Sequence, residues 1–245
     1  MTSLTSSELA AIRNQLDGKF RRIVADGAAP PLRAHGFRRK GLRFTKDINP
    51  KIVWVVDFEH STWSERGKKS FSLQFGAFVP GFHDVYAFRR DPNDPRARER
   101  LSAPGCPLPG LLGHVGGDPH SPWLELGVDS SDDEIRRLSE HMRMRIESYV
   151  LPWLERFHTL DGIVRALKEP PELRKKESEV TYHTLMANRF QAAAAVEFVA
   201  DEHEAALETV KSAFAQWTRR RRPEFLSEFS EHLRSMIEAV RRSRS

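Results

Sequence analysis

The sequence has little of what several large classes of protein depend on. It holds one cysteine, Cys106, in 245 residues, so no internal disulfide is available, and no CxxC or His-rich spacing accompanies this thiol. We interpret Cys106 as a packing residue. No apolar run near Met1 is long enough for a signal peptide, and no later run approaches the length that crosses a bilayer. We therefore expect a soluble, cytoplasmic protein that needs no disulfide for its stability.

The motifs of common catalytic and cofactor-binding sites are also missing. The sequence contains no GxSxG elbow, no GxxxxGKS/T phosphate loop, no GxGxxG and no HExxH. The HEAAL segment at His203 lacks the second histidine of a zinc helix, and GKKS at Gly67 lacks the upstream glycine of a phosphate loop. We expect no cofactor and no metal site, we assign no catalytic residue, and we favour a protein that is not an enzyme.

Basic residues are concentrated near the start of the chain. Positions 1–51 contain eleven Lys and Arg against four Asp and Glu, in a chain whose net charge is +5. A compact arginine run also precedes Pro223. Such runs attract phosphate groups in some proteins, but more often they are a solvated face. One hypothesis is therefore a nucleic-acid interface, for which the candidates are Arg38, Arg39, Lys40, Arg219, Arg220, Arg221 and Arg222.

Three consecutive segments are typical of an antiparallel meander. In the third, Phe71, Leu73 and Phe75 alternate with Ser72 and Gln74, which is the pattern of a strand with one buried face. Residues 81–117, rich in proline, glycine and arginine, are expected to form a long surface loop. Two further short strands are expected, one near the end of this loop and one after it. A loop of this length usually covers a site or is mobile. The predicted strands are Gly41–Lys46, Lys51–Ser61, Lys69–Pro80, Leu111–Val115 and Trp123–Val128.

Helices flank these strands in the sequence. We expect Ser7 to cap an amphipathic first helix, and PPLRAH to form a short second helix or a kinked continuation of the first, ended by Gly36. Ser131 with Glu134 should begin a third helix through a capping box. Pro152 should kink that third helix, and Thr159 should cap a short helix, Leu160–Lys168.

Three more helices are expected beyond the linker EPPELRKK. The predicted fold class is therefore α+β, with an antiparallel sheet of about four to five strands packed with helices, followed by an all-helical C-terminal extension. The predicted domains are residues 1–168 and residues 169–245.

Polar residues gather near the end of the second predicted strand. Asp57, Glu59 and Ser61 share one face of it because alternate residues of a strand point the same way, and Gln74 stands on the neighbouring strand. A carboxylate, an amide and an arginine within hydrogen-bonding distance would form a ligand or general-base site. The alternative is a set of salt bridges at the rim of an exposed sheet. The ligand or partner candidates near this sheet are Arg38, Arg39, Arg43, Asp57, Glu59, Ser61 and Gln74.

Two further residues are candidates for contact with a partner or ligand. Trp63 lies in a polar turn, where an aromatic side chain could anchor a protein partner. His114 lies among glycines after Cys106 and is a weaker candidate for ligand binding.

The order of several segments resembles a known family. PPLRAHGFRRKGLRFTK, VVDFEHS, SFSLQFGAF, Cys106 ahead of a Gly-rich segment, and LPWLERFHTLDGI resemble the bacterial family called domain of unknown function 4304, over about Leu16–Leu167. The resemblance implies a Gln where Glu59 stands, an Asn where Gln74 stands, and an Arg after the cysteine segment, where this chain has Leu112, Gly113 and His114. It implies a fold more than a function.

Three functions from different classes remain open. We favour a non-catalytic protein-interaction module, for example an immunity-like or regulatory protein that binds a protein partner; it predicts an exposed apolar or aromatic patch and no deep polar pocket. A nucleic-acid binder predicts that the two basic runs lie on one face. An enzyme of unknown reaction requires Glu59, Ser61 and Gln74 to converge in a concave pocket.

Overall fold

A computed structural model describes residues 5–60, 67–87, 101–112, 123–169, 186–217 and 223–244. Within these ranges an antiparallel sheet packs with helices and the C-terminal region is helical, which confirms the predicted fold class. The strands are β1 (Arg38–Lys40), β2 (Arg43–Asn49), β3 (Ile52–His60), β4 (Lys68–Phe78), β5 (Pro109–Leu111) and β6 (Leu124–Gly127). The helices are α1 (Ser6–Ile23), α2 (Ala29–Ala34), α3 (Phe82–Tyr86), α4 (Asp132–Arg145), α5 (Leu151–Leu154), α6 (Leu160–Lys168), α7 (Met186–Val199), α8 (His203–Trp217) and α9 (Pro223–Arg244).

The sheet is a meander extended by two short strands. Its order is β1-β2-β3-β4-β5, all pairs are antiparallel, and β6 also pairs with β4. The long strand β4 serves two partners on one edge: its beginning, Lys68–Phe71, pairs with β6, and Gln74–Gly76 pair with β5. The described ranges thus contain six strands, whereas five were predicted. The additional strand is residues 38–40, which pair with β2 at the edge of the sheet.

One face of the sheet is covered by helices and forms the main core. Phe20 of α1 meets Phe71 edge-to-face with ring centroids 4.9 Å apart, and Phe75 meets Trp153 of α5 at 5.0 Å. The indole N–H of Trp54 donates to the carbonyl of Phe157 at 3.1 Å, so this buried ring keeps its hydrogen bond. This face therefore holds the sheet to α1 and α5.

The opposite face carries a smaller cluster covered by the segment 101–108. Val55 and Phe78 pack there against Ala103 and Cys106. Gly76 makes the approach possible, because a Cβ at this position would lie 2.7 Å from both Cβ and Sγ of Cys106. A glycine inside a strand often marks such a close approach. Part of the predicted surface loop is thus buried against the sheet. It does not cover the end of this face that carries Asp57, Glu59 and Gln74.

The helix starts agree with the sequence at two of three predicted caps. Ser131 accepts from the backbone N–H of Glu134 in a capping box, and Thr159 accepts from Gly162 at the start of α6. The cap predicted at Ser7 is wrong. Thr5 caps α1 instead, since Glu8 stands three residues after it and completes the reciprocal pair of hydrogen bonds.

Two π-helical turns interrupt otherwise α-helical segments. Val24–Ala28 joins α1 to α2, and Ile146–Val150 joins α4 to α5. In the second, the N–H of Leu151 donates to the carbonyl of Ile146, five residues earlier. Pro152 follows in the first turn of α5, where its missing N–H costs nothing. The irregularity expected at Pro152 is therefore a π turn just before it.

The C-terminal helices share the core of the rest of the chain. Ala192–Val196 of α7 belong to the same hydrophobic cluster as the residues that line the sheet. The buried guanidinium of Arg189 donates to the carbonyls of Ala166 at 3.0 Å and Glu169 at 2.8 Å, at the end of α6. The predicted domain boundary at Lys168 stays a prediction, and buried contacts cross it.

No helix in the described ranges has the length and apolar character that a membrane span requires.

Candidate functional site

Strand register places three polar residues in one row on the face opposite the helices. Asp57 of β3 is directly opposite Gln74 of β4. On the other side of β3, Phe44 is opposite Val56, so the next position brings Arg43 of β2 beside Asp57. Residues that are opposite each other on neighbouring strands share a face. Arg43, Asp57 and Gln74 therefore lie across the open end of the sheet.

Asp57 is held by two donors. Its Oδ1 accepts from Nε of Arg43 at 2.7 Å, and its Oδ2 accepts from the backbone N–H of Ala103 at 2.9 Å. The Asp57 side chain is 15% exposed, whereas that of Arg43 is 41% exposed. A charge-assisted bond to a backbone N–H fixes both the carboxylate and the chain that carries the N–H. Asp57 thus ties the segment 101–108 to the sheet.

Glu59 is bound by the amide of Gln74. The Gln74 Nε2 donates to Oε2 of Glu59, a diagonal contact because Glu59 itself stands opposite Ser72. Both side chains are half-buried. Two of the positions at which this chain differs from the family pattern described above, Glu59 and Gln74, are therefore bonded to each other as a carboxylate–amide pair.

The thiol of Cys106 lies close to this charged row but is buried. Burial raises the pKa of Cys106 well above its ordinary value, the Asp57 carboxylate raises it further, and the Arg43 guanidinium partly opposes the shift. The thiol points to the carbonyl of Ser102 at 3.4 Å. A thiol in this state is protonated near neutral pH and is not a nucleophile.

These residues line an open groove of about 750 Å³. Its lining contains cations, carboxylates, an amide, a hydroxyl and three apolar residues, so it combines fixed charges with some apolar surface. We call it the polar groove, and its lining is Lys40, Leu42, Arg43, Asp57, Phe58, Glu59, Gln74, Ser102 and Pro104.

The structure separates the predicted basic cluster. Arg38 and Lys40 face the same side as Arg43, and Arg38 forms an ion pair with Asp47. Arg39 is on the opposite side of β1, where its guanidinium lies 5.5 Å from the centroid of the Phe44 ring. Arg38 and Arg39 therefore do not contribute to one charged face.

Several predicted candidates lie outside the described residues: Ser61, Trp63, His114, Arg219, Arg220, Arg221 and Arg222. Of the candidates within them, Arg43, Asp57, Glu59 and Gln74 meet in the polar groove, together with Lys40.

Sequence reasoning missed the residues that close the groove from the loop side. Ser102 and Pro104 line it, and the backbone N–H of Ala103 binds Asp57. Their contribution depends on a contact between positions 46 residues apart in the chain. One signal was available: Gly76 interrupts the alternation of a strand, which indicates that another part of the backbone packs against it.

Comparison with known proteins gives one match. Residues 28–156, just over half of the chain, match the family model described as Domain of unknown function (DUF4304). The chain belongs to this family. The match includes the whole sheet, the 101–108 segment and α4, and therefore all described residues that line the polar groove. No curated protein and no solved structure matches the DUF4304 chain.

Proposed function

We propose that this DUF4304 protein is a non-catalytic binding module that holds a segment of a partner protein in the polar groove. The observation that carries the proposal is the state of the two groove carboxylates. Asp57 is engaged by Arg43 and by the Ala103 N–H, and Glu59 is engaged by Gln74. Carboxylates with such partners are held in fixed positions, as the recognition groups of a binding site are.

The shape and lining of the polar groove also suit a protein segment. The groove is open along the sheet face, and its rigid walls come from strands β2, β3 and β4. Half-buried Leu42 and, on the loop side, Pro104 supply apolar surface beside the charged groups. Apolar anchors next to fixed polar groups are the usual arrangement of a protein interface.

Lys40 defines the chemistry expected of the partner. It is exposed, and it forms no ion pair with any residue in the described ranges. An acidic side chain of the partner would form an ion pair with Lys40, and an apolar side chain of the partner would pack on Leu42. Among the residues that the structure describes, the large exposed apolar ones are spread over α1, residue 101 and the 144–149 region, namely Leu9, Leu101, Met144 and Tyr149. For this reason the groove, and not an apolar patch, supports the proposed interface.

The experiment compares partner capture by the tagged protein and by charge-reversed variants. The tagged chain and the variants Lys40→Glu, Leu42→Asp and Arg234→Glu are purified from the native cell, and co-purified proteins are quantified by mass spectrometry. Arg234 is exposed on α9, remote in sequence from the groove, and serves as the control. We expect the partner to be retained by the control and reduced at least about tenfold by each groove variant, since one interfacial contact contributes roughly 1–3 kcal/mol.

Direct titration of the purified partner then tests the assignment. Equal affinity for the unmodified chain, Lys40→Glu and Leu42→Asp would contradict it. Conversion of a substrate by the unmodified chain, lost on substitution of Glu59, would show that the protein is an enzyme and not a binding module.

A further inference from the structure

A second groove lies on the other side of the β1–β2 turn. It has a volume of about 500 Å³ and lies between α1 and the strand ends, and Leu42 lines both this groove and the polar groove. We call it the basic groove, and its lining is Asp17, Phe20, Arg21, Arg39, Gly41, Leu42 and Lys69. None of these residues except Leu42 lines the polar groove, so the two grooves are distinct sites.

The lining of the basic groove carries three cations and one carboxylate. Lys69 pairs with Asp17, and its ammonium lies 4.9 Å from the centroid of the Phe20 ring, with 17% of the side chain exposed. The charges of Lys69 and Asp17 therefore neutralise each other. Neither Arg21 nor Arg39 forms an ion pair with any residue in the described ranges. Two positive charges in the groove therefore have no acidic partner there.

Two contacts within the protein fix the orientation of the Arg39 side chain. Its Nε donates to the carbonyl of Gly41 at 2.8 Å, and the guanidinium plane is supported by the Phe44 ring. These contacts fix the side chain and leave the two terminal nitrogens for another acceptor. Gly41, which also lines the groove, has a φ of +64°, and no atom lies within 4 Å of the position of an added Cβ, so the turn leaves open space at this residue.

We propose that the basic groove binds a small ligand through a phosphate group. A guanidinium fork matches the tetrahedral oxygens of phosphate, and two arginines supply the charge that a dianion requires. The Phe20 ring is only 2% exposed and already meets Phe58 and Phe71, so it offers no free face to a base. The groove therefore recognises the phosphate and not an aromatic group attached to it.

A nucleic-acid backbone fits the groove less well than a small phosphate compound. Binding of a long polyanion uses cations arranged along a continuous face. Here Arg38, the neighbour of Arg39 in β1, faces the other side of the sheet and is paired with Asp47. The cations of the basic groove are thus confined to one pocket-sized region.

The test uses inorganic pyrophosphate and inorganic phosphate as probes, titrated calorimetrically into the full chain at low ionic strength. Arg39→Gln and Arg21→Gln remove one cation each, and Arg38→Gln is the matched control because it removes an equal charge from the same strand on the opposite face. We expect saturable binding that is weakened at least about tenfold by Arg39→Gln and Arg21→Gln, and less than about twofold by Arg38→Gln. Circular dichroism checks that each variant is folded, and Arg21, exposed at the end of α1, provides a variant that does not disturb the sheet.

Three results would overturn the proposal. One is the absence of saturable binding of both probes, and another is an equal loss of binding in all three variants. The third is tighter binding of a single-stranded RNA that Arg38→Gln and Arg39→Gln weaken equally, which would indicate an extended electrostatic surface. Because Lys40→Glu changes only the polar groove, loss of partner capture and loss of phosphate binding are separable outcomes.

Discussion

Gly76 and Cys106 face each other where the 101–108 segment covers the sheet, with no room for another carbon atom between them. A Cβ at Gly76 would lie 2.7 Å from Sγ of Cys106 and 3.1 Å from the carbonyl oxygen of Leu108. Contacts with the Leu108 backbone and with the base of a short side chain cannot be relieved by a rotamer change. This one glycine therefore decides how closely the 101–108 segment covers the sheet and, through Asp57, where the wall of the polar groove stands.

Gly76→Ala should destabilise the protein. The added methyl group overpacks the small cluster of Val55, Phe78, Ala103 and Cys106, and overpacking of this kind costs about 1–3 kcal/mol. Urea unfolding followed by circular dichroism measures the free energy of unfolding.

The matched control is Gly18→Ala. Gly18 is exposed within α1, and no atom lies within 4 Å of its added Cβ. Alanine is the better helix former by roughly 0.5–1 kcal/mol, so this variant should be more stable than the unmodified chain. If the two alanine variants shift the unfolding midpoint in the same direction, the close contact at Gly76 is not what limits substitution there.

The stability of the protein should fall at alkaline pH because of Cys106. Burial, with a smaller contribution from Asp57, raises the pKa of this thiol above its ordinary value of 9.0. As the pH rises through that ordinary value, the unfolded chain loses the proton while the folded protein retains it. The folded state then binds more protons, so the free energy of unfolding decreases with pH.

Urea unfolding of the unmodified chain and of Cys106→Ala at several pH values between about 7 and 10 measures this effect. The contribution of the thiol should be fully present below pH 9 and should decline above it. Cys106→Ala should lose less stability over that range, although it starts from a lower value because packing is lost. Parallel pH profiles for the two proteins would show that the thiol does not titrate differently on folding.

Asp57→Asn should loosen the 101–108 segment. Asparagine loses the charge that attracts Arg43, and its amide presents a donor to either Arg43 or the Ala103 N–H, both of which are donors themselves. A buried donor left without an acceptor costs about 1–3 kcal/mol. Faster hydrogen exchange of the Ala103 amide would report the local effect.

Asp47→Asn is the control for this change. Asp47 is on the neighbouring strand, faces the same side and pairs with Arg38, but both side chains are more than half exposed. Pairs of this kind contribute about 0–1 kcal/mol. An Ala103 amide that exchanges equally fast in both variants would show that Asp57 does not hold the segment.

The main elements of the fold could be predicted from local patterns, whereas the groove could not. Alternation in 71–77 predicted β4, and the spacing of Ser131 and Glu134 predicted the start of α4, because those signals depend on neighbouring residues. The cap at Thr5 was missed although Glu8 follows at the same spacing. The π turns carry no comparable signal, since packing between helices decides them.

The polar groove could not be predicted from residues that are adjacent in the sequence, because strand register and a distant segment decide it. Alternation shows that Asp57 and Glu59 share a face, but the register of β2, β3 and β4 decides that Arg43 and Gln74 reach them. A register shift of one residue would turn those side chains to the helix-covered face. The Ala103 N–H enters only because a distant segment folds back onto the sheet.

Glu197 should help to fix the C-terminal helices to the rest of the chain. Its side chain is 4% exposed, Oε1 accepts from Nζ of Lys168 at 2.5 Å, and Oε2 accepts from the hydroxyl of Thr209 at 2.6 Å. It therefore joins α6, α7 and α8 at one point. Lys168→Met leaves this carboxylate buried without its cation, and because the lysine is partly exposed we expect a cost of about 1–3 kcal/mol.

Lys211→Met removes an equal charge from an exposed pair with Glu208 and should cost less than about 0.5 kcal/mol. Chemical unfolding gives the two free energies. Hydrogen exchange locates the change, which should be largest in α6 and α7 and absent from α1. Similar costs for the two lysine variants would show that the buried carboxylate is satisfied by Thr209 and by water, and that apolar packing of Ala192–Val196 holds the helices in place.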